Sequence, residues 1–120
     1  DPDRQLVLDV MAEAPTWCAS ALARPEVQTA LHRLVVDRPQ LDELWGAFRA
    51  DWDHIAQVPV DDRCLARATE LAATFRVRTV DAVHLAAADR LPRPVRFVTF
   101  ERRQLAAAAE LGLEVVSPRV

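Results

Sequence analysis

Along this chain apolar positions recur at helical spacing over long stretches and bunch into short runs between them. Leu6, Val7, Val10 and Met11 form one stripe behind Asp1-Pro2-Asp3, which predicts a helix from Pro2 to Ala14, ended by Pro15. Thr16 to Ala19 is a short β-branched and apolar run, read as a buried strand. Ser20 offers a cap hydroxyl to the helix that follows. That helix extends to Val36 with Val27, Ala30, Leu31, Leu34 and Val35 as its buried face; Pro25 either sets its start near Arg24 or distorts it. Beyond Arg38-Pro39, the stretch Leu41 to Asp53 is a further helix carrying Leu41, Leu44, Trp45, Phe48 and Trp52.

Ile55 to Val60 is apolar but contains Pro59, so it suits only an edge strand or a connector. Asp61-Asp62 open the next helix, with Leu65, Ala68, Leu71, Ala72 and Phe75 on its inner face. Thr79 can cap another, whose apolar positions Val80, Val83, Leu85, Ala86, Ala87 and Ala88 nearly encircle it. Such a helix belongs in the middle of a fold. Leu91-Pro92-Arg93-Pro94 stops it, Val95 to Phe100 reads as a strand, and Glu101 to Leu111 as a helix ended by Gly112 in the left-handed conformation. Leu113 to Val116 is the closing strand. Strands alternating with helices imply an α/β fold with a parallel sheet between helical layers. A sheet of this kind also wants a central, strongly apolar strand, and none of these runs supplies it.

Composition narrows the class. A chain of 120 residues is one domain, and 51% hydrophobic content with two Gly and no Tyr favours packed helices over an all-β sandwich. The net charge is −3, and all fifteen basic residues are Arg, a bias that a GC-rich genome or selection for planar phosphate contacts would give. Cys18 and Cys64 have no metal-ligand spacing; Cys18, inside an apolar run, reads as a buried free thiol. No apolar run reaches membrane-spanning length and no signal-peptide pattern is present, so the expected location is cytoplasmic. Asp1 in place of an initiator Met reads as the entry to a helix within a larger fold.

Three carboxylates stand at helix starts: Glu26, Asp81 and Glu101. Each alone is accounted for by the helix dipole. Glu26 and Glu101 also follow a predicted strand closely, at the carboxyl ends where parallel sheets gather their ligands. Three acids on one rim repel, and burial penalises their charged forms unless a cation neutralises them. Oxygen ligands without His or Cys suit Mg²⁺ or Mn²⁺, and such ions serve phosphate chemistry. Ser20 and Thr99 precede site acids closely and could orient them. His84, one turn beyond Asp81, is either a general base or a hydrogen-bonded core residue. Arg78, Arg102 and Arg103 flank the rim as candidate phosphate contacts, with solvated surface as the alternative; Arg33 could reach a carboxylate. There is no Gly-rich phosphate loop, Ser elbow or Cys–His dyad, and Trp17, Trp45 and Trp52 do not interleave with Arg as a base-stacking platform would.

The blocks Ser20-Ala-Leu-Ala-Arg-Pro-Glu26, Ala30-Leu31-His32-Arg33, Arg78-Thr-Val-Asp81-Ala-Val-His84-Leu-Ala86, Val98-Thr99-Phe100-Glu101 and Gly112-Leu113 resemble, in that order, the PIN-domain ribonucleases, and among them the VapC toxins of toxin–antitoxin pairs. The resemblance implies a three-layer α/β/α fold and Mg²⁺- or Mn²⁺-dependent RNA cleavage, in which activated water attacks the phosphodiester in line and leaves a 5′-phosphate and a 3′-hydroxyl. It places the acidic site at Glu26, Asp81 and Glu101 with Thr99 beside it. It also implies a homodimer and a cognate antitoxin whose tail enters the active-site groove. Glu101 departs from the Asp usual in the family, and Pro25 is unusual so near a site acid. Most consequential, the family opens with a central strand that carries a further catalytic Asp, and nothing here matches it. The expectation is a single PIN-like domain, 1–120, that lacks this strand. A second reading follows: a non-catalytic PIN-like module kept for protein contact. A receiver-like phosphoacceptor domain is disfavoured because the chain has no Lys.

Overall fold

The computed structural model describes residues 1–118. Its elements run α1 (Pro2–Glu13), β1 (Trp17–Ser20), α2 (Ala23–Leu34), α3 (Arg38–Trp52), β2 (Ile55–Val58), α4 (Asp62–Phe75), α5 (Thr79–Asp89), β3 (Arg96–Val98), α6 (Arg102–Glu110) and β4 (Glu114–Val116). This is an α/β arrangement of the PIN type, in the predicted order. The expected parallel sheet takes the form of two parallel pairs. β1 pairs with β2 from Trp17 opposite Ile55 to Ser20 opposite Val58, and β3 pairs with β4 from Arg96 opposite Glu114 to Val98 opposite Val116. Among the described residues no strand joins the two pairs. β2 stops at Val58, directly before Pro59, which has no N–H to extend the ladder.

The core gathers around α5. Ala82, Val83, Leu85, Ala86, Ala87 and Ala88 are all buried, and they pack with Cys64, Ala68 and Leu71 of α4, Ala107 and Ala108 of α6, and Leu113. The run of alanines lets neighbouring helices approach closely, while Leu71 and Leu85 fill the larger spaces between them. Helix α4 is capped at its start by Asp61, whose carboxylate accepts from the Cys64 N–H at 2.9 Å, and ends with Arg76 in the left-handed conformation at φ 56°. Gly112 takes the same region at φ 79° after α6, as its position predicts.

The periphery departs from the hydrophobic pattern. Helices α1 and α2 contain no fully buried residue. Leu34 is 80% exposed, although helical periodicity puts it on the inner face of α2. Periodicity locates a stripe but not the surface meant to cover it. Val80 and Leu65, also expected inside, are exposed for the same reason. Cys18 is exposed, not buried, although it stands two residues before the buried Ser20 on the same face of β1. Trp45 is flanked by guanidinium groups after all, with Arg24 at 5.8 Å and Arg49 at 5.6 Å from its ring centre. Among the described residues no helix is long and apolar enough to cross a membrane.

Candidate functional site

The residue that ends β1 and the one that follows β3 both reach the first two turns of α5, Ser20 directly and Thr99 through Gln104. From β1 comes Ser20, 3% exposed, whose hydroxyl lies 3.0 Å from His84 Nδ1. This bond replaces the capping role expected of Ser20. Helix α2 starts behind Leu22 without a side-chain cap, because the Ser20 side chain is turned into the core. The other ring nitrogen of His84, Nε2, meets Glu26 Oε1 in the first turn of α2. His84 is thus a half-buried, hydrogen-bonded residue that fixes Glu26 beside α5.

From β3 comes Thr99, 8% exposed. Its hydroxyl donates to Gln104 Oε1 at 2.5 Å and accepts from the Glu101 N–H at 3.0 Å. Gln104 is itself buried, and its Nε2 donates to the Asp81 main-chain carbonyl at 3.3 Å. Nothing in the sequence reading points to Gln104. It gives no signal of its own, being the third polar residue in a row after Arg102 and Arg103 at the start of α6, a common pattern at exposed positions.

Asp81 is in the first turn of α5, as predicted, and is 5% exposed. The expected Thr79 cap is absent: Arg78 occupies the N-cap position, with no side-chain cap bond. Glu101 is the N-cap of α6 rather than a first-turn residue, and its Oε1 accepts from the Arg103 N–H at 3.1 Å. One guanidinium joins the two acids. Arg78 Nε donates to Asp81 Oδ2 at 3.0 Å, and Arg78 Nη2 to Glu101 Oε2 at 3.1 Å. The bond to Asp81 is the main reason the Arg78 pKa lies above its ordinary value, so the group stays charged.

The three acids therefore fall into two sets, Asp81 with Glu101 and Glu26 with His84. The sets are linked through α5, since Asp81 and His84 are three residues apart and share a face. Among the described residues no group of three or more His, Cys, Asp and Glu is placed to hold a metal ion. Two carboxylates are nevertheless a sufficient protein contribution for Mg²⁺, which keeps much of its water and completes its shell with substrate phosphate. Asp81 and Glu101, which already share one cation, fit such an ion in their donor chemistry. Arg102 and Arg103 are exposed on the first turn of α6, and Arg33 is exposed on α2 beside the cavity that Glu26 lines.

The chain matches the PIN domain over residues 1–111. It is 39% identical over 98 residues to Ribonuclease VapC46 of Mycobacterium tuberculosis (strain ATCC 25618 / H37Rv), a match that covers 78% of this chain and 75% of that protein. No solved structure matches it. With the motif blocks, the α/β order and the acids at the starts of α2, α5 and α6, these likenesses establish that the chain belongs to the PIN-domain family, as a VapC-like member.

Proposed function

We propose that this protein is a metal-dependent endoribonuclease toxin of a toxin–antitoxin pair. The observation that carries the reading is the pair of carboxylates Asp81 and Glu101 converging on one cation at the adjoining starts of α5 and α6, with Asp81 almost fully buried. A buried carboxylate held against a second one is costly to keep unless a cation is part of the design.

Asp81 and Glu101 would hold the Mg²⁺ or Mn²⁺ ion, with Glu26 supplying a further acid from α2. The ion would supply activation of water and neutralisation of charge on the cleaved phosphate. The protein's own residues do the positioning. Thr99 and Gln104 fix the loop that carries Glu101 to the carbonyl of Asp81, and Ser20 and His84 fix Glu26. Arg102 and Arg103 project from the same end of α6 and would receive the phosphate backbone of RNA, whose binding is dominated by such contacts. The likeness to Ribonuclease VapC46 supports the RNA substrate, and pairing with an antitoxin is proposed on the family resemblance. A homodimer is proposed on the family resemblance alone. An RNA substrate would place the activity in the cytoplasm.

The test is cleavage of a structured RNA by the purified chain with Mg²⁺ or Mn²⁺, with and without a chelator, beside Asp81→Asn. Cleavage that survives Asp81→Asn unchanged would refute the site. The second reading, a non-catalytic PIN-like binding module, is favoured by one observation: the three acids do not form one cluster among the described residues. It predicts no Mn²⁺ binding and no cleavage.

A further inference from the structure

We propose that Arg78 is a built-in competitor of the divalent cation, bridging Asp81 and Glu101 until the ion displaces its guanidinium. This rests on the metal-dependent reading above and adds a residue that sets how tightly the ion is held.

The argument is one of atoms. Glu101 has two carboxylate oxygens, and the helix cap consumes one: Oε1 accepts from the Arg103 N–H. The oxygen left to face a cation is Oε2, and Arg78 Nη2 donates to it. Arg78 Nε donates to Asp81 Oδ2 in the same way. A metal ion binding both acids therefore competes with Arg78 at Glu101 Oε2 or with the cap of α6 at Oε1. Releasing Arg78 is the easier path. Its side chain is 60% exposed, against 7% for Asp81, so it can turn to water without moving the core. Arg78 is the N-cap of α5 and holds the helix start through its carbonyl, which accepts from the Ala82 N–H at 2.9 Å, so the side chain can leave with this backbone bond in place. Charge favours the exchange, because a single guanidinium offsets one of two negative charges and a divalent ion offsets both.

Arg102 provides the control. It is equally cationic and begins the same helix, but among the described residues it makes no ion pair, whereas Arg78 bridges two acids. If proximity of positive charge alone weakens the ion, both positions matter. If occupation of the oxygens does, only Arg78 matters.

The experiment is calorimetric titration of MnCl₂ into the full chain, its Arg78→Gln, Arg78→Lys and Arg102→Gln variants, and Asp81→Asn, each first checked for folding by circular dichroism. The expected result is tighter Mn²⁺ binding by Arg78→Gln, roughly three- to tenfold, as an exposed-to-half-buried ion pair implies. Arg102→Gln should match the parent and Asp81→Asn should lose binding. Arg78→Lys, which keeps the charge but cannot bridge both acids with a planar fork, should also bind more tightly than the parent, and it decides the question if Arg78→Gln does not fold. Unchanged or weaker binding in the folded Arg78 variants overturns the inference while leaving the metal site standing. No Mn²⁺ binding by the parent or any variant overturns the metal-dependent reading itself, and this inference with it.

Discussion

The side-chain amide of Gln104 donates to the main-chain carbonyl of Asp81 at 3.3 Å, so the first turn of α5 is fastened to α6 by a side chain buried to 5% exposure. Through its other end Gln104 accepts from Thr99, which in turn receives the Glu101 N–H. The two acids that share Arg78 are thus spaced by a continuous run of hydrogen bonds behind them.

Gln104→Leu keeps the approximate volume and removes both bonds, leaving the buried Thr99 hydroxyl without its acceptor. The expected loss is about 1–3 kcal/mol of stability, read as a lower urea midpoint at unchanged m-value. RNA cleavage should fall further than the unfolded fraction explains, since the spacing of Asp81 and Glu101 loosens. Full activity in a folded Gln104→Leu variant would show that the link is structural only.

His84 carries the matching prediction on the other side of α5. It joins Ser20 to Glu26, so His84→Phe should free Glu26 and strand the Ser20 hydroxyl. Stability should drop by about 1–3 kcal/mol. The Glu26→Gln change, made in the His84→Phe background, should cost less cleavage than in the parent, because the two residues act as a pair. Additive losses in that double-mutant cycle would separate them.

The element order was legible because two signals coincide in it: helical spacing of apolar residues, and acids or prolines at element starts. The centrality of α5 was also legible, since Val83 and Leu85 to Ala88 make it apolar on nearly every side. What escaped the sequence were the partners of polar atoms. Ser20 at a strand–helix junction offers the same hydroxyl to a cap or to a distant His84, and only the packing of α5 against β1 decides between them. Glu101 one residue before α6 rather than within it is likewise a matter of where the ladder starts. Gln104 gave no signal, and the exposed Leu34 gave a false one, because periodicity does not report whether a covering surface exists.

Arg76 is a residue with a Cβ held at φ 56° in the C-cap of α4, where Gly is the least strained choice. Its neighbour Val77 is buried but Arg76 itself is exposed, so the side chain contributes little packing. Arg76→Gly should stabilise the fold by about 0.5–1 kcal/mol, raising the thermal midpoint without altering cleavage. A lower midpoint would mean that the arginine makes a compensating contact in solution.

Leu85 has no exposed surface and sits where α4, α5 and α6 meet. Leu85→Ala should cost about 2–5 kcal/mol through lost transfer energy and the cavity left behind. Leu65→Ala on the exposed side of α4, with 46% exposure, should cost about 1 kcal/mol or less. Comparable losses at both positions would place the core elsewhere.

Asp89, in the last turn of α5, makes acid stability depend on three separate parts of the chain. Arg67 of α4 donates from Nε to its Oδ2 at 2.9 Å, and Arg93 in the loop before β3 donates from Nη2 to its Oδ1 at 2.8 Å. Arg93 also reaches the Leu111 carbonyl behind α6 at 2.9 Å. Burial by itself pushes the Asp89 carboxyl up, but the bonds from Arg93 and Arg67 outweigh it and hold the pKa below the ordinary 3.8. The unfolded chain therefore takes up this proton first as pH falls. The stabilisation is complete above the unfolded value and is lost as pH drops through 3.8 toward the folded one. Asp61 acts in the same direction, held down chiefly by the Cys64 N–H against the opposing effect of burial, with Arg90 assisting. Asp89→Asn should be less stable at neutral pH by about 1–3 kcal/mol. Its stability should also decline less steeply than the parent's between roughly pH 5 and pH 3, with the two curves converging at the acid end. Urea unfolding at a series of pH values measures both effects. Parallel curves offset by a constant amount would mean that the carboxylate contributes packing and hydrogen bonding without its charge.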